Sequence, residues 1–369
     1  MSFKYKKIIF FSRDLKIGGM EKALVVLLNS LQSDANKITL VLENKTGELL
    51  NQLHPDIKVK EYRVCKCKIS ILRKAVNFLH RTFWRLKYSN KYDFSCNYAT
   101  YLTIGSRLAD IASSNSSLYV HSDYYNYFSK DINSIKEFFL EQGIGYLKKL
   151  IFVANEAMTP IESIFPEYAH KFTVVSNLID LKDIISLSDC SISESKPSKE
   201  LILFVGRLEE CSKRLTRLIE SFKIVCEKSS QYELWIIGNG IDYNLCADLI
   251  NKYGLTEQIK LLGQKTNPYP YMKMSDCVIL TSDFEGFPVI YNECLALNKP
   301  IVTTIPVSDN FIDIRDFSVV VEKNPDSIAE AILEKRYKNI EFNIPDFNEI
   351  NRKRIMLIDN IVKNEESII

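Results

Sequence analysis

The sequence predicts an α/β protein built from two doubly wound, Rossmann-like domains that face a cleft. Short apolar segments of strand length alternate with helical patterns, which is typical of parallel sheets with crossover helices. The alternation stops in a polar segment near the middle of the chain and then begins again. With 369 residues, the chain is long enough for two domains of ordinary size.

The first half opens with an apolar strand pattern that leads into a Gly18-Gly19 turn. A helix is predicted directly after this turn, over 20–31, because apolar residues recur there at intervals of three and four. Helix-like segments separate most of the later apolar runs. The strands predicted in this half are 7–12, 37–42, 57–62, 117–121, 150–154 and 172–175.

A polar segment, 186–200, is rich in Ser, Lys and Glu and nearly free of large apolar side chains, which is typical of a linker or hinge. Alternation then resumes, so we assign 1–190 to the first domain, 191–200 to the hinge and 201–345 to the second domain. The strands predicted in the second half are 201–205, 232–237, 259–262, 277–281 and 300–304, and the helices are 216–228, 242–253, 269–274 and 288–297.

The composition excludes several classes of protein. Apolar residues make up 46% and charged residues 25%, so the chain is not disordered. The longest purely apolar run, Ala23 to Leu28, is far too short to span a bilayer, and the N-terminus lacks a signal-peptide pattern. We therefore expect a cytoplasmic protein. The nine cysteines have no zinc-site spacing and are expected to be reduced thiols.

Glycines and basic residues follow three predicted strands, where doubly wound proteins bind anionic ligands. Gly18 and Gly19 follow the first strand, and Gly238 and Gly240 follow the strand ending at 237; each turn alone could be a plain tight turn. Gly206-Arg207 follows the strand 201–205, with Lys213 six residues beyond Arg207. Arg207 and Lys213 could bind one diphosphate, although a solvated basic loop is the competing interpretation.

The fourth strand end is the most informative. The segment Ser282 to Pro288 precedes a helix and contains Glu285, and Glu293 lies eight residues further on, inside that helix. Its neighbours Val289, Ile290, Cys294 and Leu295 are apolar, and a carboxylate buried among them would need partners.

Together these motifs resemble the retaining nucleotide-sugar glycosyltransferases of family four, which have the GT-B fold, and among them the bacterial capsule and exopolysaccharide type. The resemblance covers nearly the whole chain and is strongest over 201–304. It rests on the ordered co-occurrence of GG, FVGRL with Lys213, LWIIGNG and TSDFEGFPVIYNECLALNKPIVTT, the last of which holds the family's Glu-x7-Glu element. It also implies that 346–369 form a helix that crosses back to the first domain.

The resemblance implies a role for each of these residues. Arg207 and Lys213 would neutralise the donor diphosphate as it leaves, and Glu285 would hold the hydroxyls of the donor sugar. Glu293 would bind the ribose, and His121, at the end of the strand 117–121, would lie near the transferred sugar. The glycines and helix-start residues expected to line the donor pocket are Gly18, Gly19, Gly206, Gly238, Gly240, Gly286, Phe287 and Val289.

The implied reaction transfers a hexose from a nucleotide-diphosphate donor, with UDP favoured over GDP, to a surface-polysaccharide or lipid-linked acceptor. It retains anomeric configuration and needs no cofactor or metal, because Arg and Lys supply the positive charge and no Asp-x-Asp pair is present at the site. A catalytically silent scaffolding subunit is the alternative. A sugar-nucleotide epimerase of the same shape is disfavoured by the Glu-x7-Glu element.

Two features depart from the family pattern. Lys213 follows Arg207 by six positions where five is commoner, so one residue must bulge and Arg214 competes for the same role. The stretch 306–322 lacks the glycine usually found after the last strands of the sheet.

Charge is concentrated in the first half, where residues 1–180 hold 25 Lys+Arg against 17 Asp+Glu. Residues 58–91 hold 11 of these cations, and 66–91 form a predicted helix with an apolar stripe. Either this helix packs on the core with a solvated basic face, or it lies on anionic lipid at the inner face of the membrane. Nucleic acid is not expected as a partner. The predicted membrane residues are Arg73, Lys74, Arg81, Trp84 and Arg85.

Overall fold

The computed structural model describes residues 6–33, 36–65, 67–341 and 346–364, and of Thr103 only the backbone. The chain divides into two compact units. The first takes the chain up to Leu178 and again from Asn348 onward, and the second comprises Ile179–Phe347. Each unit is built around a parallel sheet, as the alternating pattern predicts.

The first unit contains a seven-stranded sheet in the order β3-β2-β1-β4-β5-β6-β7. Its strands are β1 Lys6–Ser12, β2 Asn36–Leu42, β3 Lys58–Glu61, β4 Phe94–Asn97, β5 Ser116–Val120, β6 Lys149–Phe152 and β7 Phe172–Val174. Its helices before the second unit are α1 Gly19–Leu31, α2 Ser70–Tyr88, α3 Thr103–Ala112, α4 Tyr124–Tyr127, α5 Ile132–Gln142 and α6 Asn155–Ile164.

The central strands read as continuous apolar runs because they are covered on both faces. Ile8 to Phe11 of β1 are all buried, as are Leu118 to Val120 of β5. This is the pattern expected for a parallel sheet sandwiched between helices. The chain leaves β1 toward β2 and β3 and returns to β4 on the other side, so the strand order reverses between β1 and β4.

The second unit repeats this design with six strands in the order β10-β9-β8-β11-β12-β13. Its strands are β8 Glu200–Val205, β9 Tyr232–Ile237, β10 Ile259–Gly263, β11 Cys277–Leu280, β12 Ile301–Thr303 and β13 Ser318–Val320. Its helices are α7 Leu181–Ser188, α8 Glu210–Lys213, α9 Leu215–Lys228, α10 Tyr243–Lys252, α11 Tyr269–Met274, α12 Val289–Ala296 and α13 Pro325–Leu333, and α14 Phe347–Lys363 follows.

The division between the units falls between Leu178 and Ile179, twelve residues before the end of the first domain predicted from sequence. The reason is α7, which packs against α11 and α12 of the second unit. The polar composition of the loop after α7 indicates irregular structure there. It does not show to which unit α7 itself belongs.

Helix α14 is packed into the first unit by buried polar contacts. The side chain of Arg354 is fully buried, and its Nη1 donates to the carbonyl oxygen of Asn177 at 2.7 Å. The side-chain amide of Asn115 donates to the carbonyl oxygens of Ile361 and Val362. Residues 365–369 of the predicted C-terminal segment lie outside the described residues, as do 342–345 before it.

We expect Arg354→Met to destabilise the first unit by about 1–3 kcal/mol, because it leaves the buried carbonyl of Asn177 without this donor. Arg352→Met is the matched control, since Arg352 is exposed on the same helix and surface changes stay within about 0.5 kcal/mol. Urea unfolding followed by circular dichroism compares the two variants. Equal stability of both would show that the Arg354 contact contributes nothing.

Two predictions concern the whole chain. All nine cysteines are free, which agrees with reduced thiols. No helix within the described ranges is long and apolar enough to cross a membrane.

Candidate active site

The predicted phosphate and sugar ligands of the second unit meet where its strand order reverses. Strand β8 pairs with β11, and the chain runs from β8 toward β9 on one side and returns to β11 on the other. The loops after these two strands therefore emerge side by side at the carboxyl edge of the sheet. Open α/β sheets bind their ligands at this kind of position.

Lys213 and Glu285 form an ion pair across these two loops. Their side chains are mostly buried, with exposed fractions of 20% and 16%. The hydroxyl of Ser282 also donates to Oε1 of Glu285, at 2.8 Å. The structure thus brings together two of the residues predicted for catalysis, at positions 72 apart in the chain.

Arg214 lies next to Lys213 and has a different partner. Its guanidinium pairs with Asp283, which also accepts from Arg217 at 2.7 Å. Burial of Asp283 favours its neutral form, but the two guanidinium groups outweigh this and hold the pKa of the carboxyl below its ordinary value. Lys213, rather than Arg214, therefore lies beside Glu285.

Arg214 directly follows Lys213 and separates α8 from α9. Its φ of 54° is left-handed, a conformation that costs a non-glycine residue roughly 1–2 kcal/mol. The hydroxyl of Thr281 donates to the carbonyl oxygens of Lys213 and Arg214, at 2.8 and 3.3 Å, and fixes this turn. The turn directly after Lys213 is thus stabilised by the loop that follows β11.

Arg207 follows β8 and points into solvent. Its side chain is 70% exposed, and its only acidic neighbour among the described residues is Glu209, with Nη1 3.7 Å from Oε2. An exposed surface pair of this kind contributes little to stability. The guanidinium is therefore available to an anionic ligand at the edge of the sheet.

The glycines after β8 and β9 allow the backbones of the two loops that follow these strands to pack against each other. A Cβ on Gly238, whose φ is 152°, would overlap the carbonyl oxygen of Gly206, and one on Gly240 would overlap that of Leu208. The amide of Gly206 donates to the carbonyl oxygen of Ile237 at 3.0 Å. In this structure Gly238 and Gly240 thus shape the loop that carries Arg207.

Helix α12 begins directly after the Glu285 loop. Gly286 and Phe287 form the turn, Pro288 precedes the helix, and Val289 is its first residue. Phe287 is buried and packs edge-on against Tyr291. These contacts fix the first turn of α12, whose free backbone N–H groups favour a bound anion.

Glu293 is buried inside α12, as its apolar neighbours predict. The hydroxyl of Tyr269, at the start of α11, donates to its Oε1 at 2.8 Å. Tyr269 was not predicted as a site residue, because a tyrosine in a short helix has no pattern that identifies its partner. This hydrogen bond orients the carboxylate that the family resemblance assigns to the ribose.

In the first unit, the Gly18-Gly19 turn is supported by a buried carboxylate. A Cβ on Gly18 would overlap Oε2 of Glu21, and Oε1 of Glu21 accepts from the hydroxyl of Tyr101 at 3.0 Å. Tyr101 follows β4, the neighbour of β1 where the strand order reverses. Neither Glu21 nor Tyr101 was predicted as a site residue.

His121 follows β5 at the same edge of the first sheet. Its ring stacks on Tyr119, with centroids 5.1 Å apart, and also contacts Tyr98. Burial lowers its pKa to about 3, so the imidazole is neutral at physiological pH. Its Nε2 is enclosed and has no hydrogen-bond partner in the part of the chain that the structure describes.

The orientation of α2 corrects one prediction. Trp84 is only 5% exposed and packs against Phe11, Tyr62 and Tyr88, so it does not lie at the level of lipid headgroups as predicted. The reason is that aromatic neighbours fill this side of the helix. The exposed apolar residues are Ile69, which precedes α2, and Ile71, Leu72, Phe78, Leu79, Phe83 and Leu86 on it.

The basic residues of α2 divide into two groups. Arg73, Lys74 and Arg81 line a pocket within the first unit, and Arg85 does not. Arg73, Lys74 and Arg85 are exposed, and Arg81 is half-buried. Lys66, at the start of the predicted helix, lies outside the described residues. Across the described ranges, no group of three or more His, Cys, Asp or Glu side chains is placed to hold a metal ion.

Comparison with known proteins identifies the second unit. Residues 189–335 match the family described as "Glycosyl transferases group 1". The second unit is a group 1 glycosyltransferase domain. The matched residues include Arg207, Lys213, Glu285 and Glu293, so the family match and the geometry of the carboxyl edge concern the same part of this glycosyltransferase domain.

Two relatives differ in how much of the chain they share. An uncharacterized glycosyltransferase of Methanocaldococcus jannaschii is 34% identical over 163 residues, which are 43% of this chain and 40% of that protein. N-acetylgalactosamine-N,N'-diacetylbacillosaminyl-diphospho-undecaprenol 4-alpha-N-acetylgalactosaminyltransferase of Campylobacter jejuni is 25% identical over 90% of this chain and 93% of that enzyme. The chain thus spans less than half of the archaeal relative and nearly all of the bacterial one.

The fold matches solved structures over nearly its full length. HepE of Anabaena, in complex with UDP and glucose, has a TM-score of 0.71 and 16% identity, covering 96% of this chain and all of that one. Both parallel-sheet units of this chain therefore have the fold of the GT-B glycosyltransferases, as the sequence predicts.

Proposed function

We propose that the chain transfers a hexose from a UDP-sugar to a surface-polysaccharide or lipid-linked saccharide acceptor, with retention of anomeric configuration and without a metal ion. The observation that carries this proposal is the Lys213–Glu285 pair at the strand-order reversal of a group 1 glycosyltransferase domain. Two similar proteins support it: HepE is bound to UDP and glucose, and the Campylobacter enzyme is named for its action on a saccharide linked to diphospho-undecaprenol.

Catalysis depends on stabilising the charges that develop in the transition state. When the bond between sugar and phosphate breaks, negative charge develops on the diphosphate and positive charge on the anomeric carbon. Lys213 and Arg207 stabilise the leaving diphosphate, and the N-terminus of α12 adds backbone N–H donors. Glu285, already oriented by Ser282, accepts hydrogen bonds from the hydroxyls of the sugar.

The other predicted residues complete donor and sugar recognition. Glu293, oriented by Tyr269, accepts from the ribose hydroxyls. In the first unit, Nε2 of the neutral His121 has no hydrogen-bond partner among the described residues, and we assign it to a hydroxyl of the transferred sugar.

A screen of nucleotide-sugars tests this proposal. Purified protein is incubated with each UDP- and GDP-sugar, and thermal stabilisation and release of the nucleotide are measured in EDTA and in Mg²⁺. We expect one UDP-sugar to stabilise the protein and to be hydrolysed slowly at equal rates in both buffers. Stabilisation without hydrolysis or transfer to any acceptor would show a silent binding subunit instead.

The proposal places the enzyme at the inner face of the cell membrane, held there by α2. The exposed residues Leu79 and Phe83 would lie among lipid chains, next to the cations Arg85 and Lys87. No acidic residue occurs from 62 to 92, so this surface complements an anionic bilayer. Each Lys or Arg near such a surface contributes about 1 kcal/mol, over a Debye length of about 8 Å in physiological salt.

Sedimentation with vesicles tests this location. The wild type should pellet with vesicles of phosphatidylglycerol and phosphatidylcholine but not with phosphatidylcholine alone, and less as salt rises. Leu79→Ser/Phe83→Ser should reduce the bound fraction at least about tenfold, because two large side chains no longer enter the lipid. If the double variant pellets like the wild type but elutes as a smaller species in gel filtration, this face binds a second copy instead.

A further inference from the structure

A pocket of about 420 Å³ lies within the first unit, between α2 and the carboxyl edge of the sheet. Its volume is within the roughly 300–1,000 Å³ typical of ligand sites. Its walls come from α2, from the segments that follow β2 and β3, and from the segment that leads into α3.

The polar part of this pocket is cationic. Arg73, Lys74 and Arg81 line it, and none of the three forms an ion pair with another described residue. The only acidic residue in the lining is Glu43. Arg73 and Lys74 are exposed and Arg81 is half-buried. Three cations with one carboxylate favour a ligand that carries more than one negative charge, such as a phosphate or diphosphate.

Side-chain contacts hold the helix that supplies these cations in place. Asn77 accepts from the backbone amide of Cys65 at 2.8 Å, and Nδ1 of His80 lies 3.1 Å from the carbonyl oxygen of Arg63. Trp84 anchors the same face of α2 in the core. The cations are therefore presented from a fixed helix, which lowers the entropy lost on binding.

The rest of the pocket is apolar or aromatic, which distinguishes it from a site for free phosphate. Val64, Leu102 and Ile104 contribute aliphatic surface, and the rings of Tyr62 and Tyr101 complete the lining. The other side of α2 exposes the apolar residues proposed to enter the bilayer. One helix therefore presents cations to a pocket and hydrocarbon to lipid, which suits a ligand whose phosphate is joined to a lipid chain.

The pocket also adjoins the edge where the first unit carries its predicted site residues. Tyr101 lines the pocket and donates to Glu21, which supports the Gly18 turn. A ligand held by its phosphate at Arg73 and Arg81 would therefore extend toward this edge.

We infer that this pocket binds the phosphate or diphosphate through which a lipid-linked saccharide acceptor is joined to its lipid. The inference rests on the proposed glycosyltransferase function and names, within it, the acceptor class and the residues that recognise it. Arg73, Lys74 and Arg81 bind the phosphate oxygens, and Tyr62, Val64 and Ile104 contact the first part of the lipid.

Binding of farnesyl diphosphate, a water-soluble lipid diphosphate, tests the inference by titration calorimetry in the presence of saturating UDP. UDP blocks the nucleotide site of the second unit, so the signal reports on the first. We expect farnesyl diphosphate to bind, inorganic pyrophosphate to bind at least about tenfold more weakly, and farnesol not to bind. Pyrophosphate binding as tight as farnesyl diphosphate would show a free-phosphate site and overturn the assignment to a lipid.

Two double variants of α2 make the test specific. Arg73→Gln/Arg81→Gln should weaken farnesyl diphosphate binding by about tenfold or more, since charged hydrogen bonds are lost. Arg85→Gln/Lys87→Gln removes the same amount of charge outside the pocket. It should change the affinity for farnesyl diphosphate less than twofold. Equal losses in both would mean a general electrostatic effect and would refute the site.

Failure of this inference can be told from failure of the proposed function. Thermal stabilisation by UDP-sugar and donor hydrolysis need no acceptor, so both report on the donor site and not on this pocket. If the wild type hydrolyses a donor but does not bind farnesyl diphosphate, the pocket assignment is wrong and the glycosyltransferase stands.

Discussion

Lys213→Ala should lower kcat for sugar transfer by about a hundredfold or more, while the protein stays folded. Lys213 is the mostly buried cation at the strand-order reversal, and it lies beside Glu285 rather than in solvent. Removing one group that stabilises charge in the transition state costs about 10²–10³ in kcat. Initial rates with the donor found in the screen, at saturating donor and acceptor, give the comparison.

Arg214→Ala is the matched control for Lys213. It removes a neighbouring cation from the same turn, but Asp283 keeps Arg217 as its partner at 2.7 Å. We therefore expect a loss in kcat of less than about tenfold. A larger loss from Arg214→Ala than from Lys213→Ala would assign the diphosphate to Arg214 and reverse the roles of the two residues.

The spacing of residues alone could not choose between Lys213 and Arg214. The sequence shows that one residue must bulge after Arg207, but not which side chain the bulge turns toward Glu285. The choice depends on the left-handed turn at Arg214 and on Thr281 and Asp283, which lie in the loop after β11, far along the chain. Long-range pairing of this kind has no local pattern.

Strand positions were predicted well where strands are buried and apolar. The predicted strand at 232–237 matches β9, and that at 7–12 differs from β1 by one residue. β4, Phe94–Asn97, was missed because its four residues include two polar ones that are buried only in the folded sheet. The missed strand is the one beside β1 where the strand order reverses, so the position of Tyr101 was missed with it.

The orientation of α2 could not be read from its apolar stripe. Amphipathic patterning predicts that the apolar side faces the core, yet Leu79 and Phe83 are exposed and Trp84 is buried. Trp84 packs against the rings of Tyr62 and Phe11, and the side chain of Asn77 accepts a hydrogen bond from the backbone amide of Cys65. Specific contacts on the polar side therefore decide how the helix is oriented.

Glu285→Gln should also lower kcat by about a hundredfold or more, but with little effect on UDP affinity. Glutamine keeps the shape of the side chain and can still accept from Ser282, so the loop after β11 should stay intact. The loss comes from the negative charge, which accepts strongly from sugar hydroxyls in the transition state. Lys213→Ala, in contrast, should weaken binding of UDP itself, because Lys213 is the residue that we propose to contact the diphosphate.

A double-mutant cycle separates the two roles that Glu285 could have. If Glu285 holds the sugar, the losses in kcat from Glu285→Gln and Lys213→Ala largely add in free energy. If Glu285 only positions Lys213, the double variant is no slower than Lys213→Ala, since the positioned group is already absent. Ser282→Ala provides a milder perturbation of the same carboxylate, and a loss of about two- to tenfold in kcat is expected. A non-additive cycle would therefore leave Lys213 as the catalytic residue of this pair and make Glu285 its positioning residue.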